Sequence, residues 1–334
     1  MKKKIIWVIG IIFSFLVLAS AFFYTQFKPA EKTTWGITFS HRYAAYLGMD
    51  WRTVYLDMLN DLQPKRLRLM AYWEDIEPQP EMYDFSIAAQ MLAEAEKRNI
   101  EVILVLGHKQ PRWPECHHPD WYNDLSDVDK LAAQLRMVKN AVNYYKQFSA
   151  VKTWQVENEA FFSFGDKCPQ TPKDLVKEEM AIVRAADPRP IILTDSGEFG
   201  RWLPTASMEP DVFGSTMYRV VHNPKFGYFK YPLPSAYFRI KAGVLQTFKP
   251  VKKIIGVELQ AEPWFADDLF TTDLTIQYSL MNPVIFKEYT EYAENVGFEE
   301  NYLWGVEWWY WMATKHGDWG MWEEARKLFM SNRG

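Results

Sequence analysis

The chain lacks the surplus of positive charge that a nucleic-acid partner demands. Its 38 basic side chains are outnumbered by 42 acidic ones, for a formal net charge of −4, whereas phosphate backbones call for a clustered basic surface. Cysteine is scarce: only Cys116 and Cys168 occur, so at most one internal disulfide can form. Internal repeats, low-complexity tracts and linkers are absent from residues 35–334, so a single domain is the simplest reading. A glycine-rich phosphate loop is missing too, which argues against an open doubly wound sheet.

What the chain has in abundance is apolar and aromatic matter. Hydrophobic residues make up 48%, enough for a full core and too many for disorder. Aromatics reach 16%, with 15 Trp, 18 Tyr and 22 Phe. Flat apolar faces with a polar edge stack on sugar rings or on unpaired bases, and the acidic balance disfavours the bases. A large aromatic core explains the same composition, so both readings stay open at this level.

Lys2, Lys3 and Lys4 precede an uncharged run of 20 residues, Ile5 to Tyr24. A helix of that length spans roughly 30 Å, the thickness of a hydrocarbon core. Lysines ahead of the run put the N-terminus in the cytoplasm and the rest outside. Ala19-Ser20-Ala21 resembles a signal-peptidase site, but Phe22, Phe23 and Tyr24 carry the apolar run past it. The expectation is therefore an uncleaved signal anchor over residues 1–24, a polar tether over 25–34 and an extracytoplasmic body over 35–334. Secretion after cleavage near Ala21 is the alternative.

In the body, strand-like runs alternate with helical patterns. The runs are Trp35–Phe39, Arg66–Tyr72, Glu101–Gly107, Val151–Asn158, Pro190–Asp195, Asp211–Met217, Lys253–Leu259 and Tyr302–Trp308. Their continuous apolarity suits parallel strands covered on both faces. Helices are expected from Trp51, Ile87, Ser126, Pro172, Ser235, Pro283 and Trp322, with only a short one between the fifth and sixth strands. Eight such units predict a (β/α)8 TIM barrel.

In such a barrel, function gathers at the C-terminal strand ends. The exits read Ser40-His41-Arg42-Tyr43, Trp73-Glu74, His108, Asn158-Glu159, Asp195 with Glu198, Tyr218-Arg219, Glu258 with Glu262 and Trp264, and Glu307 with Trp308, Trp309 and Trp311. Carboxylates and aromatics converge on one mouth. Two carboxyls for acid/base and nucleophilic work, with aromatic walls, are the ingredients of a sugar-cleaving site.

These residues resemble the retaining glycoside hydrolases of clan A, which include family 1, family 5 and family 42 enzymes. The resemblance rests on Asn158-Glu159 ending the fourth strand, Glu258 ending the seventh, and the second-strand stretch Arg68, Trp73, Glu77-Pro78 and Tyr83-Asp84-Phe85. It covers roughly residues 35–312, with Ala160 where several families of the clan have Pro. It implies a retaining β-glycosidase in which Glu159 is the acid/base and Glu258 the nucleophile; a transglycosylase with the same site and a carbohydrate-binding barrel that has lost catalysis are the alternatives. It also implies that Arg68, His108, Asn158, Tyr218 and Trp308 line the substrate, an oligo- or polysaccharide.

Chemically, retention needs two carboxyls about 5–5.5 Å apart. Glu258 is expected to stay ionised beside Arg68 and Tyr218, and Glu159 to have its pKa raised by burial and the neighbouring charge. Asn158 is expected to donate to the sugar 2-hydroxyl. Rival carboxyls are Glu157, which could instead pair with Arg66 or Arg68, and Glu262. Glu198 and Glu307 are expected as substrate or loop contacts. Trp113, Trp264, Trp308, Trp309 and Trp311 are candidates for a sugar platform, whereas Trp35, Trp73 and Trp304 suit the core. His41 is either a ring-hydroxyl partner or a polar loop residue.

No metal site or cofactor is expected. Metal-dependent barrels usually carry His-x-His on the first strand, and this one has Thr38-Phe39-Ser40. His117-His118 reads as a solvated loop pair. Cys116 follows the third strand and Cys168 the fourth, and adjacent exit loops can be bridged in an oxidising compartment.

Overall fold

The computed structural model describes residues 2–331. Its strands, in chain order, are β1 (Thr34–Phe39), β2 (Arg66–Met70), β3 (Glu101–Leu106), β4 (Val151–Val156), β5 (Ile191–Asp195), β6 (Val212–Met217), β7 (Val220–Asn223), β8 (Gly227–Lys230), β9 (Lys253–Gln260) and β10 (Glu300–Trp304). Eight of them close a parallel barrel in the order β1-β10-β9-β6-β5-β4-β3-β2. The architecture is a TIM barrel. The other two, β7 and β8, form an antiparallel hairpin in the connection after β6.

Helices fill the outer ring where the start signals put them. Asp127–Tyr145 is capped by the Ser126 hydroxyl, which accepts from Asp129 N. Pro283–Val296 is capped by Asn282 and stopped by Gly297. Only the five-residue helix Trp202–Ala206 lies between β5 and β6. Helix-facing side chains of the barrel join one large outer core. Inside the barrel a small apolar layer forms from Ile103, Ile192, Ile255, Val257 and Tyr302.

Toward the C-terminal strand ends the interior turns polar. Thr38, Arg68, Gln155 and Thr194 are all buried there. Arg68 Nε donates to Gln155 Oε1 at 2.8 Å. Because β2 and β4 are not neighbours, that bond crosses the barrel interior. The β6–β9 register shifts between Ser215 and Thr216, leaving Thr216 opposite Glu258.

The eighth barrel strand departs from expectation. It runs Glu300–Trp304, and a helix begins at Val306. Gly305 makes the corner at φ 134°, and a Cβ there would lie 2.6 Å from the Cβ of Glu262. Glu307, Trp308, Trp309 and Trp311 therefore belong to the helix Val306–His316 and not to a strand end.

The N-terminal helix Lys2–Gln26 includes an exposed apolar stretch, Lys4–Gln26, long enough to cross a membrane. Its last turns lean on the helix Ser235–Phe248. Arg239 Nη1 donates to Tyr24 Oη at 2.6 Å, and the Phe23 and Phe248 rings lie 5.9 Å apart.

Candidate active site

Arg68 organises the centre of the mouth. Its guanidinium is fully buried; Nη1 donates to Glu258 Oε1 at 2.7 Å and Nη2 to Asn158 Oδ1 at 2.8 Å. One side chain from β2 thus ties β9 to the turn after β4. The other Glu258 oxygen accepts from Tyr218 Oη at 3.2 Å. Both partners expected for Glu258 are in contact with it.

The chain leaves β4 at Val156 and turns sharply. Glu157 and Glu159 have φ of 58° and 44°, so the two are not held on one face as residues two apart on a regular strand would be. Glu157 accepts from His108 N at 2.8 Å, Lys109 N at 2.6 Å and Gln134 Nε2 at 2.8 Å. Its role is to pin the loop after β3, and neither Arg66 nor Arg68 pairs with it, contrary to the ion pair anticipated.

Glu159 has its backbone N–H bonded to Thr194 Oγ1 at 2.8 Å, while its carboxyl Oε1 is buried without a hydrogen-bond partner. Burial raises its pKa well above the usual carboxylate range, and the charges of Glu258 and Glu115 push it further. The protonated form of this carboxyl is thus favoured, whereas the Glu258 carboxyl is held by a cation and a hydroxyl.

Asn158 is more heavily engaged than expected. Its Oδ1 takes bonds from Arg68 and Thr194, and its Nδ2 donates to Glu115 Oε2 at 3.2 Å. One amide hydrogen of Nδ2 is left over. Glu115 is a third buried carboxyl at the centre, raised to about 8 by burial and by the charge of Glu258. Sequence reasoning missed it, because nothing in Trp113-Pro114-Glu115-Cys116 marks a strand end. The Cys116–Cys168 disulfide, with Cα atoms 5.4 Å apart, ties this stretch to the loop after β4.

A cavity of about 260 Å³ opens on one side of the mouth. Glu159, Tyr218, Phe162, Phe164, Tyr231 and Trp264 are among its walls. Trp264 stands edge-on to Tyr218 at 5.5 Å. Glu198 also faces the cavity and is fixed by Tyr218 N at 2.6 Å.

Other expected positions fall elsewhere. Trp308 and Trp309 are fully buried in the core, with their indole N–H groups on Gln277 Oε1 at 2.9 Å and Ala261 O at 2.6 Å. Trp311 packs beside His316 at 4.3 Å. These three are core residues and not a sugar platform, because the strand they were assigned to is a helix. Trp113 is largely exposed on the rim.

His108 does not line the cavity. It bonds His118 through Nε2 at 2.8 Å, and burial drives its pKa down to about 3. His117 is not solvated: it is buried, its ring 4.4 Å from that of Tyr72. His41 is buried with Nε2 on Asp75 at 2.8 Å. Glu262 and Glu307 both hold Arg112, which sequence reasoning did not single out.

Solved structures share this fold at low identity. Xylanase 10B from Thermotoga petrophila RKU-1, in complex with xylobiose, is 16% identical, covering 82% of this chain and 82% of its own, at a TM-score of 0.54. A glutamate-to-alanine variant of GH5_18 from Bifidobacterium longum subsp. longum ATCC 55813, in complex with Manβ1-4GlcNAc, is 13% identical over 82% of this chain and 69% of its own, at a TM-score of 0.56. A glycosylated endo-β-1,4-xylanase of glycoside hydrolase family 10 from Gloeophyllum trabeum is 15% identical over 82% and 84%, at 0.54. The barrel is of the kind these glycoside hydrolases carry. No family model and no curated protein matches the sequence.

Proposed function

We propose that the chain is a retaining glycoside hydrolase that cleaves a β-glycosidic bond by double displacement, with Glu258 as nucleophile and Glu159 as acid/base. The observation that carries this reading is the contrast between two buried carboxyls at one mouth. Glu258 is held by Arg68 and Tyr218, while burial and the charge of Glu258 raise the pKa of Glu159 well above the usual carboxylate range. The fold shared with xylanases supports it.

Glu258 attacks the anomeric carbon as the glycosidic C–O bond breaks, and the Glu159 proton passes to the departing oxygen. The resulting ester removes the charge of Glu258, so the pKa of Glu159 falls. Glu159 can then take a proton from water as that water displaces Glu258. Arg68 and the Tyr218 hydroxyl hold the attacking oxygens in place and receive them again when the ester opens.

The aromatic cavity beside Glu159 favours a second reading, a transglycosylase using the same pair, in which an acceptor sugar rests there in place of water. The substrate in either case is an oligo- or polysaccharide. The apolar helix behind three lysines fits a membrane-anchored, extracytoplasmic protein, and the disulfide fits an oxidising compartment.

Glu258→Gln is expected to abolish turnover of activated aryl β-glycosides, by about 10⁴-fold or more, while calorimetry still detects binding. Undiminished turnover rejects the assignment. Transfer to added sugar acceptors, measured by product chromatography, separates the two readings.

A further inference from the structure

The mouth is open on one arc and filled on the other. The cavity wall comes from chain following β4, β5 and β6, with Trp264 from beyond β9. The opposite arc, over β9, β10, β1 and β2, is covered by the loop after β3. At its tip is Arg112, buried, with its guanidinium carbon 3.9 Å from the Tyr43 ring centroid and 4.1 Å from that of Trp304. Its Nη2 donates to Glu307 Oε2 at 2.8 Å and its Nη1 to Glu262 Oε1. Glu262 follows β9, Trp304 ends β10, and Tyr43 follows β1. One side chain therefore spans the barrel mouth from the third exit loop to the seventh, eighth and first.

The loop is fastened throughout its length. Tyr72 Oη donates to Pro111 O at 3.0 Å, the His117 ring bonds Arg112 O through Nε2 at 3.0 Å, and Cys116 is bonded to Cys168. The charge of Arg112 is answered by two carboxylates and two aromatic faces belonging to the protein. Both its Nη groups are taken by these carboxylates, only Nε being left without a partner, and the side chain acts as a wall.

The consequence rests on the acid/base assignment above. An acid donates to the leaving oxygen, so the aglycone lies on the Glu159 side, in the open cavity. The glycone lies over Glu258, and any further sugar units on that side would extend towards β10 and β1. We propose that Arg112, held by Tyr43, Trp304, Glu262 and Glu307, closes the glycone side, so that the enzyme accepts one terminal sugar there and works inward from a chain end. Arg112 is then the specificity-determining residue between chain-end and internal cleavage.

The test pairs nitrophenyl β-glucoside, β-mannoside and β-xyloside with the nitrophenyl glycosides of the matching β-linked disaccharides, using the full chain in detergent. Direct release of nitrophenol with an intact disaccharide is expected to have a kcat/KM about 100-fold lower than release from the preferred monosaccharide glycoside. A reducing-end-labelled oligosaccharide is expected to shorten one unit at a time. Removing Arg112 alone would strand two carboxylates, so the variant is Arg112→Ala/Glu262→Gln/Glu307→Gln. It is expected to raise the disaccharide-to-monosaccharide ratio of kcat/KM at least tenfold, a change that general loosening of the fold would not produce.

Intact disaccharide released as fast as monosaccharide by the unaltered enzyme overturns the proposal and leaves the hydrolase assignment standing. An unchanged ratio in the folded variant overturns the role of Arg112. Inertness towards every glycoside removes the hydrolase reading, and this one with it.

Discussion

Arg68 and Glu258 form an ion pair of 2.7 Å in which the arginine side chain is wholly buried and the glutamate nearly so. Such a pair holds a carboxylate at a fixed place and makes each partner dependent on the other, since an unpaired charge in that setting is costly. The first prediction comes from this dependence. Arg68→Met is expected to cost about 3–5 kcal/mol in denaturant titration, and Arg68→Met/Glu258→Leu to recover much of that loss. Strict additivity in the double-mutant cycle would show the two to be uncoupled.

Stability should fall on both sides of mildly acidic pH. The His108 pKa is lowered from 6.5 to about 3, so the unfolded chain gains a proton below 6.5 that the folded site refuses, and stability drops as pH falls through this window. Glu115 is raised from 4.5 to about 8. The unfolded chain releases that proton above 4.5 while the folded one keeps it, and stability drops as pH rises towards 8. Glu307, raised to about 7, acts in the same direction. Glu115→Gln is expected to flatten the alkaline slope of Tm against pH, and a slope unchanged by it would count against the buried-acid role.

The two classes of tryptophan should separate cleanly. Trp309→Ala is expected to destabilise by about 3–5 kcal/mol, as for a large buried ring. Trp264→Ala, on the cavity wall, is expected to change stability little and to raise KM for substrates with a sugar aglycone roughly three- to tenfold. Urea titration and steady-state kinetics read the two effects, and a large loss of stability in Trp264→Ala would place that ring in the core.

Removing the cross-link tests how far the exit loops are held by chain constraint. The bond spans 52 residues, for which the chain-entropy relation gives about 4 kcal/mol. Cys116→Ser/Cys168→Ser is expected to lower stability by about 2–4 kcal/mol, and a reducing agent to do the same to the unaltered protein.

The barrel itself was legible because strand-like runs recur between helices with recognisable starts, such as Ser126 and Pro283. The positions of Glu159 and Glu258 were legible for a related reason: chain order in a closed parallel barrel tells which residues share a mouth. The eighth strand was misplaced because Tyr302–Trp308 is apolar apart from Glu307. Periodicity cannot distinguish a short buried strand from the start of a buried helix. The corner at Gly305 resolves it, and with it Trp308, Trp309 and Trp311 move from the rim to the core.

Sequence alone thus determined the alternation of elements, the acidic and aromatic composition, and the carboxyls at the ends of the fourth and seventh barrel strands, since each is written in local pattern and chain order. Only the tertiary structure decided what surrounds them. Glu115 reaches Asn158 across 43 residues, and Arg112 meets Glu262 and Glu307 across 150 and 195. Loop contacts of that separation depend on where the barrel closes and how each loop folds back over it, and no periodicity along the chain encodes that.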